Sequence, residues 1–358
     1  MDISSQQTRF FTRTLTGWHQ RANFRELPWK NEKDPYRIWL SEVILQQTRA
    51  LQGLPYYLAF TAKYPTVQHM AAADEQEAFR LWQGLGYYNR CKNMLATART
   101  VTAEHGGVFP SSYTDLLGLK GIGPYTAAAI ASFAYGLPHA VVDGNVYRVL
   151  SRFFGIDTPF DTTAGKKQFA VLAQQLLHTA DSAAHNQAIM DLGATVCVPR
   201  KPLCDICPLQ KKCFAYQHGA IDMLPVRSKK IVVKKRFFNY LLLQYRDTLW
   251  IHKRTGNDIW ENLHEPFLIE TTEPLTINTL HVHHLFKDLQ LGNAEISYSG
   301  AQSQRLTHQL IQTHVFTVRL ASKPKSLSAN GLWLDAEGLK KTAFPKTVVS
   351  FLKNYLYF

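Results

Sequence analysis

The chain has 358 residues, which is more than one ordinary domain needs and suits two or three. Its net charge is +13, and its 46% hydrophobic and 19% charged residues exclude a disordered or collagen-like chain. No run of about 18 uncharged apolar residues predicts a membrane span, and the first 20 residues lack a signal-peptide core. We therefore expect a protein of a reducing compartment whose partner is a polyanion such as nucleic acid.

Helical patterns dominate the first 225 residues. Segments rich in Ala, Leu and Gln predict helices over residues 39–51, 75–82, 126–134 and 166–177. Residues 226–236, VRSKKIVVKKR, then carry six basic side chains and no acidic one. Because this charge run follows a proline, it indicates a linker between two domains.

The pattern changes after residue 236. Short apolar runs alternate with turns and predict strands over residues 240–245, 248–253, 267–270, 313–320 and 331–335. A last helix is predicted over residues 347–357. The fold class is therefore multidomain: an all-α domain over residues 1–225, a basic linker over 226–236 and a smaller α+β domain over 237–358.

Four of the five cysteines form a cluster. They follow the pattern C-x6-C-x2-C-x5-C and are Cys197, Cys204, Cys207 and Cys213. Disulfides are improbable in a reducing compartment, so the thiolates indicate zinc or an iron–sulfur cluster. Zinc sites usually contain two C-x2-C pairs and this segment has one, so the spacing favours one iron–sulfur cubane. Cys91 stands apart and is predicted to be a packed or semi-exposed thiol.

Residues 115–130, DLLGLKGIGPYTAAAI, predict two helices joined by a tight turn. Lys120, Gly121 and Gly123 lie in that turn, and we expect both glycines to adopt left-handed conformations. The second helix begins with free backbone N–H groups, which suit a DNA phosphate. Some twenty residues later Asp143 follows an apolar run and precedes Gly144. An aspartate there is either a helix cap or a functional carboxylate.

This order of helix–turn–helix, aspartate and cysteine loop resembles the endonuclease III superfamily of DNA glycosylases. The segments LPWK (27–30), DPYRIWLSEVILQQTRA (34–50) and LWQGLGYYNRCKN (81–93) resemble the MutY adenine DNA glycosylases in particular. The resemblance covers residues 21–225. It implies a helix–hairpin–helix glycosylase domain whose loop 197–213 holds a 4Fe–4S cluster.

The resemblance also implies catalytic roles. Glu42 would protonate adenine at N7, and Asp143 would stabilise or capture the oxocarbenium-like sugar. The apolar neighbours of Glu42 would raise its pKa. Tyr125 and Asn145 would support the two carboxylates. Because Tyr125 occupies the position of the Schiff-base lysine of endonuclease III, the enzyme should be monofunctional.

Further positions match parts of the family that bind the flipped base and the DNA. Gln46 and Gln47 would fill the gap left by the flipped base, and Tyr87 would stack beside 8-oxoguanine, while one of Tyr87 and Tyr88 belongs to the core. The predicted adenine pocket comprises Arg25, Leu27, Trp29 and Gln187. The predicted DNA contacts are Gln46, Gln47, Thr48, Tyr87, Lys120, Gly121, Gly123 and His308.

Residues 237–358 resemble the Nudix-like domain of the family, through the stretch IWENLHEPF. They lack the glutamate-rich helix of an active Nudix hydrolase. The family's reading loop has the pattern His-x-Phe/Leu-Ser-His, and LTHQLIQTHVF departs from it. An ungapped match from His308, which we favour, puts Ile311 and Gln312 at the last two positions; a two-residue insertion puts Thr313 and His314 there.

The sequence thus predicts a monomeric enzyme of the bacterial cytoplasm or nucleoid that excises adenine from double-stranded DNA. Its substrates would be 8-oxoguanine:adenine and guanine:adenine mispairs. The alternatives are a bifunctional pyrimidine glycosylase/lyase, a non-catalytic iron–sulfur protein that binds DNA, and a Nudix hydrolase with a helical appendage. Tyr125 counts against the first alternative, and the pair Glu42 and Asp143 counts against the second. The missing glutamate-rich helix counts against the third.

Overall fold

The computed structural model describes residues 4–22, 26–228, 232–256, 258–291, 294–327 and 331–356. They divide into two compact units, residues 1–71 with 96–230 and residues 72–95 with 231–358. Residues 72–95 therefore pack with the C-terminal unit although they precede the predicted linker. No helix among the described residues is long and apolar enough to cross a membrane.

Helices form almost all regular structure before residue 228. They are α1 (Ser5–Ala22), α2 (Pro35–Leu45), α3 (Ala50–Lys63), α4 (Val67–Ala71), α5 (Glu75–Trp82), α6 (Asn89–Glu104), α7 (Tyr113–Gly118), α8 (Pro124–Phe133), α9 (Gly144–Phe154), α10 (Thr163–Leu176), α11 (Ser182–Thr195) and α12 (Phe214–Gln217). Short 3₁₀ turns lie at Thr179–Asp181, Cys204–Ile206 and Gln210–Lys212.

The predicted helices 75–82, 126–134 and 166–177 are confirmed as α5, α8 and α10. The single helix predicted over residues 39–51 is wrong, because α2 ends at Leu45 and α3 begins at Ala50. Between them Gln47 has a φ of 57°, and a residue in the left-handed region does not continue a right-handed helix. The interruption creates a turn, residues 46–49, directly after the helix that carries Glu42.

The core of the helical unit is built by α1, α9, α10 and α11. Phe11, Leu150, Phe169 and Leu192 are each fully buried there. Cys197, Cys207 and Cys213 pack against the edge of this cluster. The cysteine loop is therefore attached to the same core that fixes α9.

The C-terminal unit contains one mixed seven-stranded sheet. Its strands are β1 (Lys234–Tyr245), β2 (Thr248–Lys253), β3 (His264–Glu265), β4 (Phe267–Thr271), β5 (Glu295–Arg305), β6 (Gln309–Arg319) and β7 (Gly331–Leu334). The order is β3-β2-β1-β6-β5, with β4 also paired to β1 and β7 to β2. Of the described strand pairs, only β1 and β6 run parallel. The helices of this unit after the linker are α13 (Ile277–Val282), α14 (His284–Asp288), α15 (Ala336–Lys341) and α16 (Lys346–Leu356).

The predicted strands and the last helix are confirmed, and β5 was not predicted. Its sequence, EISYSGAQSQR, is mostly polar because β5 lies at the edge of the sheet and is largely exposed. The first strand begins at Lys234, so the last three residues of the predicted linker belong to the sheet. Arg236 donates to both Asp258 (2.8 and 2.7 Å) and Glu270 (2.6 and 2.6 Å), which fixes the start of β1.

Candidate functional site

Glu42 is a buried acid in the middle of α2. The helix begins with Asp34 as its cap, which accepts from the Tyr36 N–H at 2.9 Å, and Pro35 follows at the first helical position. Only 7% of Glu42 is exposed. Burial raises its pKa to about 7; the nearby Asp143 charge adds to the rise and a hydrogen bond with Tyr125 opposes it. Glu42 thus holds a proton near neutral pH, as a general acid must.

Asp143 is the N-cap of α9, and its carboxylate is satisfied by three hydrogen bonds. One oxygen accepts from the backbone N–H groups of Asn145 at 2.9 Å and Val146 at 2.8 Å. The other accepts from the Asn145 side-chain amide at 2.7 Å. Burial raises the pKa of Asp143, and these bonds oppose the rise. The capping role fixes the carboxylate in place and leaves it available for chemistry.

Tyr125 links Glu42 to the turn between α7 and α8. It is the second residue of α8, and it hydrogen-bonds Glu42. Burial raises its pKa well above the usual value, and the charges of Glu42 and Asp143 raise it further. The hydroxyl therefore stays protonated. The structure brings the predicted residues Glu42, Tyr125, Asp143 and Asn145 together in one unit.

The turn before Tyr125 has one left-handed glycine. Gly121 has a φ of 77°, as predicted. The same prediction for Gly123 is wrong: its φ is −92°, because it caps α8 in an extended conformation. The Thr97 hydroxyl donates to the Lys120 carbonyl and so holds the turn on α6, while the Lys120 side chain is exposed.

Arg148, one turn into α9, is a site residue that the sequence analysis missed. It is 8% exposed and its guanidinium donates to the Asn145 side-chain oxygen at 2.8 Å. It also donates to the carbonyls of Gly193 and Cys197, each at 2.6 Å. Arg148 therefore fixes which way the Asn145 amide points: its oxygen faces the guanidinium and its NH₂ faces Asp143. The sequence signal that could have identified Arg148 is its place soon after the capping Asp143, among apolar residues.

Replacing Arg148 with Met should destabilise the helical unit. The change leaves buried carbonyls of Gly193 and Cys197 without their charged donor, which costs about 3 kcal/mol. Thermal unfolding followed by circular dichroism measures it, with the exposed Arg9→Met as the matched control. Equal melting temperatures for the two variants would show that the Arg148 bonds do not hold this region.

The four clustered cysteines line one cavity. Its wall also includes Arg152, Val196, Leu203 and Tyr216. No three His, Cys, Asp or Glu side chains in the described ranges converge tightly enough to hold a single metal ion. Burial raises the pKa of the Cys207 thiol to about 12 and that of Cys213 above its usual value. These thiols are neutral unless a metal replaces their protons.

Arg152 organises the floor of this cavity and was also missed. It is 3% exposed and donates to Cys197 Sγ at 3.5 Å and to the Val198 carbonyl at 2.8 Å. Its other nitrogens reach the carbonyls of Pro199 and Leu224, both at 3.0 Å. One arginine of α9 therefore holds both ends of the segment that contains the cysteines.

A salt bridge fixes the predicted wall of the base pocket. Leu27 and Trp29 are half-buried, and Lys30 follows them and pairs with Asp191 at 3.0 Å. Asp191 is fully buried on α11, one turn after Gln187, so the loop 26–30 and Gln187 are held on the same helix. Arg25, the fourth predicted pocket residue, lies outside the described residues.

Two of the residues predicted to enter the DNA, Gln47 and Tyr87, have left-handed backbone conformations. Gln46, Gln47 and Thr48 form the turn after α2, and the exposed Gln47 has its φ at 57°. In the other unit Tyr87 has a φ of 48° and is 49% exposed, whereas Tyr88 is 7% exposed. Non-glycine residues with positive φ carry strain, and such strain concentrates at functional sites.

Residues 306–308 join β5 to β6, and the tip of this turn consists of Thr307 and His308. Both residues are exposed, and the Tyr87 hydroxyl contacts the Thr307 hydroxyl. The four residues considered for the end of the reading loop lie inside β6 instead, where Ile311 and Thr313 are fully buried. These four residues are therefore paired within the sheet on two sides and do not form a loop, and their correspondence with the family's reading pattern stays a prediction.

Comparison with known proteins agrees with this arrangement. Residues 40–175 match the HhH-GPD superfamily of base excision DNA repair proteins. An adenine DNA glycosylase of Buchnera aphidicola subsp. Baizongia pistaciae is 33% identical over 72% of this chain and 73% of its own. The adenine DNA glycosylase of Buchnera aphidicola subsp. Schizaphis graminum is 29% identical over 96% of this chain and 98% of its own. The human adenine DNA glycosylase is 42% identical over 60% of this chain and 41% of its own.

Solved structures match the helical part. A thermostable thymine-DNA glycosylase is 30% identical with a TM-score of 0.56, over 60% of this chain and 99% of its own. A trapped endonuclease III–DNA covalent intermediate shares the fold. Its identity is 20% and its TM-score 0.53, over 60% of this chain and 98% of its own. The fold and the paired carboxylates define a base excision DNA repair protein of the helix–hairpin–helix class. Within that class, the chain belongs to the adenine DNA glycosylase family.

Proposed function

We propose that this protein is a monofunctional DNA glycosylase that flips and hydrolytically excises adenine opposite 8-oxoguanine or guanine. The observation that carries the proposal is the neighbouring pair of a protonated acid, Glu42, and a fixed carboxylate, Asp143. Glu42 donates its proton to N7 of adenine, and the bond between N9 and C1′ breaks. Asp143 stabilises the resulting sugar cation until water adds at C1′.

Release of adenine from a defined duplex tests this function. A single-turnover assay with the full chain should release adenine opposite 8-oxoguanine and opposite guanine. A duplex with thymine opposite guanine serves as the control, and its thymine should stay in place. Release of thymine without adenine would overturn the proposal in favour of a pyrimidine glycosylase.

Absence of lyase chemistry is a separate prediction. Tyr125 has no amine, and its hydroxyl is hydrogen-bonded to Glu42, so it does not form a Schiff base. Borohydride added during turnover should therefore trap no stoichiometric covalent complex between protein and DNA. Efficient trapping would show that a lysine acts as nucleophile and would favour the bifunctional alternative.

We infer that loop 197–213 holds a 4Fe–4S cluster. The four cysteines line one cavity, and their segment has a single C-x2-C pair where zinc sites usually have two, which favours one iron–sulfur cluster. When bound, the cluster would supply four cross-links to the loop. Visible absorption with about four irons per chain should be lost in Cys207→Ser, while Cys91→Ser, at the isolated buried thiol, keeps it. A colourless protein that contains zinc would contradict this assignment.

The C-terminal unit is proposed to be a Nudix-like module that reads the base opposite adenine. Its reading residues would be Tyr87, Thr307 and His308, which are exposed and grouped within one unit. Thr307→Ala should lower the preference for 8-oxoguanine:adenine over guanine:adenine about tenfold, since one hydrogen bond is lost. Gln312→Ala, within β6, is the matched control. A larger effect of Gln312→Ala would instead favour the ungapped match, in which Gln312 is a reading residue.

Double-stranded DNA is the proposed partner, and the net charge of +13 favours it. We further propose a monomer that works in the bacterial cytoplasm or nucleoid. Four free thiols that bind a cluster require a reducing compartment, which supports this location.

A further inference from the structure

One face of α1 carries cations and an aromatic side chain that the proposed excision chemistry does not use. Arg13, Thr14, Trp18 and Arg21 line a surface recess together with Pro208 of the cysteine loop. Their spacing of one, four and three residues places them on one side of the helix. We call this set the α1 stripe. The helix contains no acidic residue, so the stripe has no counter-charge within α1.

The cysteine loop extends the positive charge of the stripe. Lys212 lies over the ring of Phe10 at 4.8 Å, and Phe10 precedes Arg13 by one helical turn. The cations Lys212, Arg13 and Arg21 thus follow one another along the helix. From Phe10 to Arg21 the helix rises about 16 Å. A single phosphate ion is too small to reach all three cations, whereas successive phosphates of a nucleic-acid strand match their spread.

The guanidinium of Arg21 is held in place before any ligand binds. Its Nε donates to the Gly17 carbonyl at 3.0 Å, so the side chain folds back along the helix. A methyl group at position 17 would meet Arg21 Nη2 at 3.0 Å, which shows how closely the guanidinium covers this glycine. The two terminal nitrogens stay available for a phosphate, and a preorganised fork loses less entropy on binding.

The beginning of the stripe lies away from the two carboxylates. The Phe10 ring stacks on Phe153, near the C-terminal end of α9, at 6.4 Å between centroids. Asp143 caps the opposite end of the same helix, about 15 Å away. The Phe10 end of this surface therefore lies away from Asp143, whereas His19, next to Trp18, interacts electrostatically with Lys30 and Asp191 of the predicted pocket wall.

We propose that the α1 stripe is a second nucleic-acid site that binds the phosphodiester backbone of a single strand. Arg13, Arg21 and Lys212 contact phosphates, and Trp18, which packs against the helical core and lines the recess, offers the exposed part of its indole to a base. An acidic polypeptide is the competing ligand, but it makes no use of an aromatic side chain between the cations. This binding goes beyond the excision of adenine and does not depend on it.

A binding assay with the duplex site filled tests the proposal. The full chain is first saturated with a duplex that carries a tetrahydrofuran abasic analogue opposite 8-oxoguanine. A fluorescent thymidine strand of about 12 nucleotides, within the usual site size for single strands, is then added. Its anisotropy is followed at several KCl concentrations. The double variant Arg13→Gln/Arg21→Gln should weaken this binding at least tenfold. It should also reduce the salt slope, which is the slope of the logarithm of the binding constant against the logarithm of the KCl concentration, by about 1.4, the share of two phosphate contacts.

The control removes the same charge elsewhere on the same unit. Lys166→Gln/Lys167→Gln replaces two exposed cations of α10 that do not line the recess, and it should change affinity less than twofold. Trp18→Leu should weaken binding at least fivefold without changing the salt slope, because stacking carries no charge. All variants should release adenine at the parental rate.

Three results would overturn the inference. Equal affinities of the stripe variant and its control would show that the binding is not local to α1. An unchanged affinity of Trp18→Leu would exclude the stacked base. Displacement of the labelled strand by a poly-glutamate peptide at lower concentration than by unlabelled thymidine strand would identify an acidic protein as the ligand instead.

Discussion

Glu42→Gln is expected to lower the single-turnover rate of adenine release by roughly 10²- to 10⁴-fold, the contribution of a positioned general acid. The amide keeps the size of the carboxyl group and hydrogen-bonds Tyr125, but it has no proton to give to the base. Binding to the duplex should be unaffected. The exposed Glu104→Gln on α6 is the matched control and should release adenine at the parental rate.

The raised pKa of Glu42 also predicts that the rate of adenine release falls as the pH rises. Burial raises the pKa of Glu42 to about 7, so the active, protonated form is present below pH 7 and lost above it. The rate should therefore fall about tenfold per pH unit above about pH 8, until another process takes over. A rate that rises with pH over this range would show that Glu42 acts as a base and would refute the assignment.

Glu42→Gln should change stability in the opposite direction to activity. A carboxyl group with a raised folded pKa favours folding while it is protonated, and that contribution is lost as pH rises from 4.5 towards 7. At about pH 8 the buried charge costs about 3 kcal/mol. The variant should therefore unfold at a higher temperature than the parent at that pH and at a similar temperature at pH 4.5. Buried acids that destabilise a fold are characteristic of active sites.

The sequence predicted the local elements well because each had a strong local signal. The helix α5 follows from its apolar spacing, and the cap at Asp143 follows from an aspartate before Gly144. The break at Gln47 had no such signal, since no glycine or proline marks the residue whose backbone is left-handed. The polar edge strand β5 also lacked one, because an exposed strand needs no apolar alternation.

Long-range hydrogen bonds were the part of the site that no spacing revealed. Arg148 lies close to Asp143 in the sequence, but its partners Gly193 and Cys197 lie 45 and 49 residues further along the chain. Asp191 likewise meets Lys30 from a distant part of the helical unit's sequence. Such pairs depend on how α9, α11 and the loop 26–30 pack, and the spacing of residues in a single sequence does not contain that information.

Asp143→Asn should abolish adenine release almost completely, by about 10³-fold or more, because the negative charge beside the sugar cation is lost. Asparagine is as good an N-cap as aspartate, so the start of α9 should remain intact. The side-chain oxygen can still accept from the N–H groups of Asn145 and Val146. The substitution therefore separates the charge of Asp143 from its capping role.

One contact does change. The new NH₂ group would face the NH₂ of Asn145, which donates to Asp143 at 2.7 Å. Asn145 does not relieve this by turning over, because Arg148 holds its oxygen at 2.8 Å. Two opposed donors should lower the stability by about 1–2 kcal/mol. Asp181→Asn, at the cap of α11, has no such neighbour among the described residues and is the matched control for unfolding.

The double variant Asp143→Asn/Arg148→Met then distinguishes the loss of charge at position 143 from the repulsion between the two amide groups. Without the guanidinium, Asn145 is free to turn its oxygen towards the amide introduced at position 143. The two substitutions should therefore destabilise less together than the sum of each alone. Adenine release should stay as low as in Asp143→Asn, since the charge is still missing. If instead Asp143→Asn released adenine at the parental rate, Asp143 would be only a helix cap and the cation would need another anion.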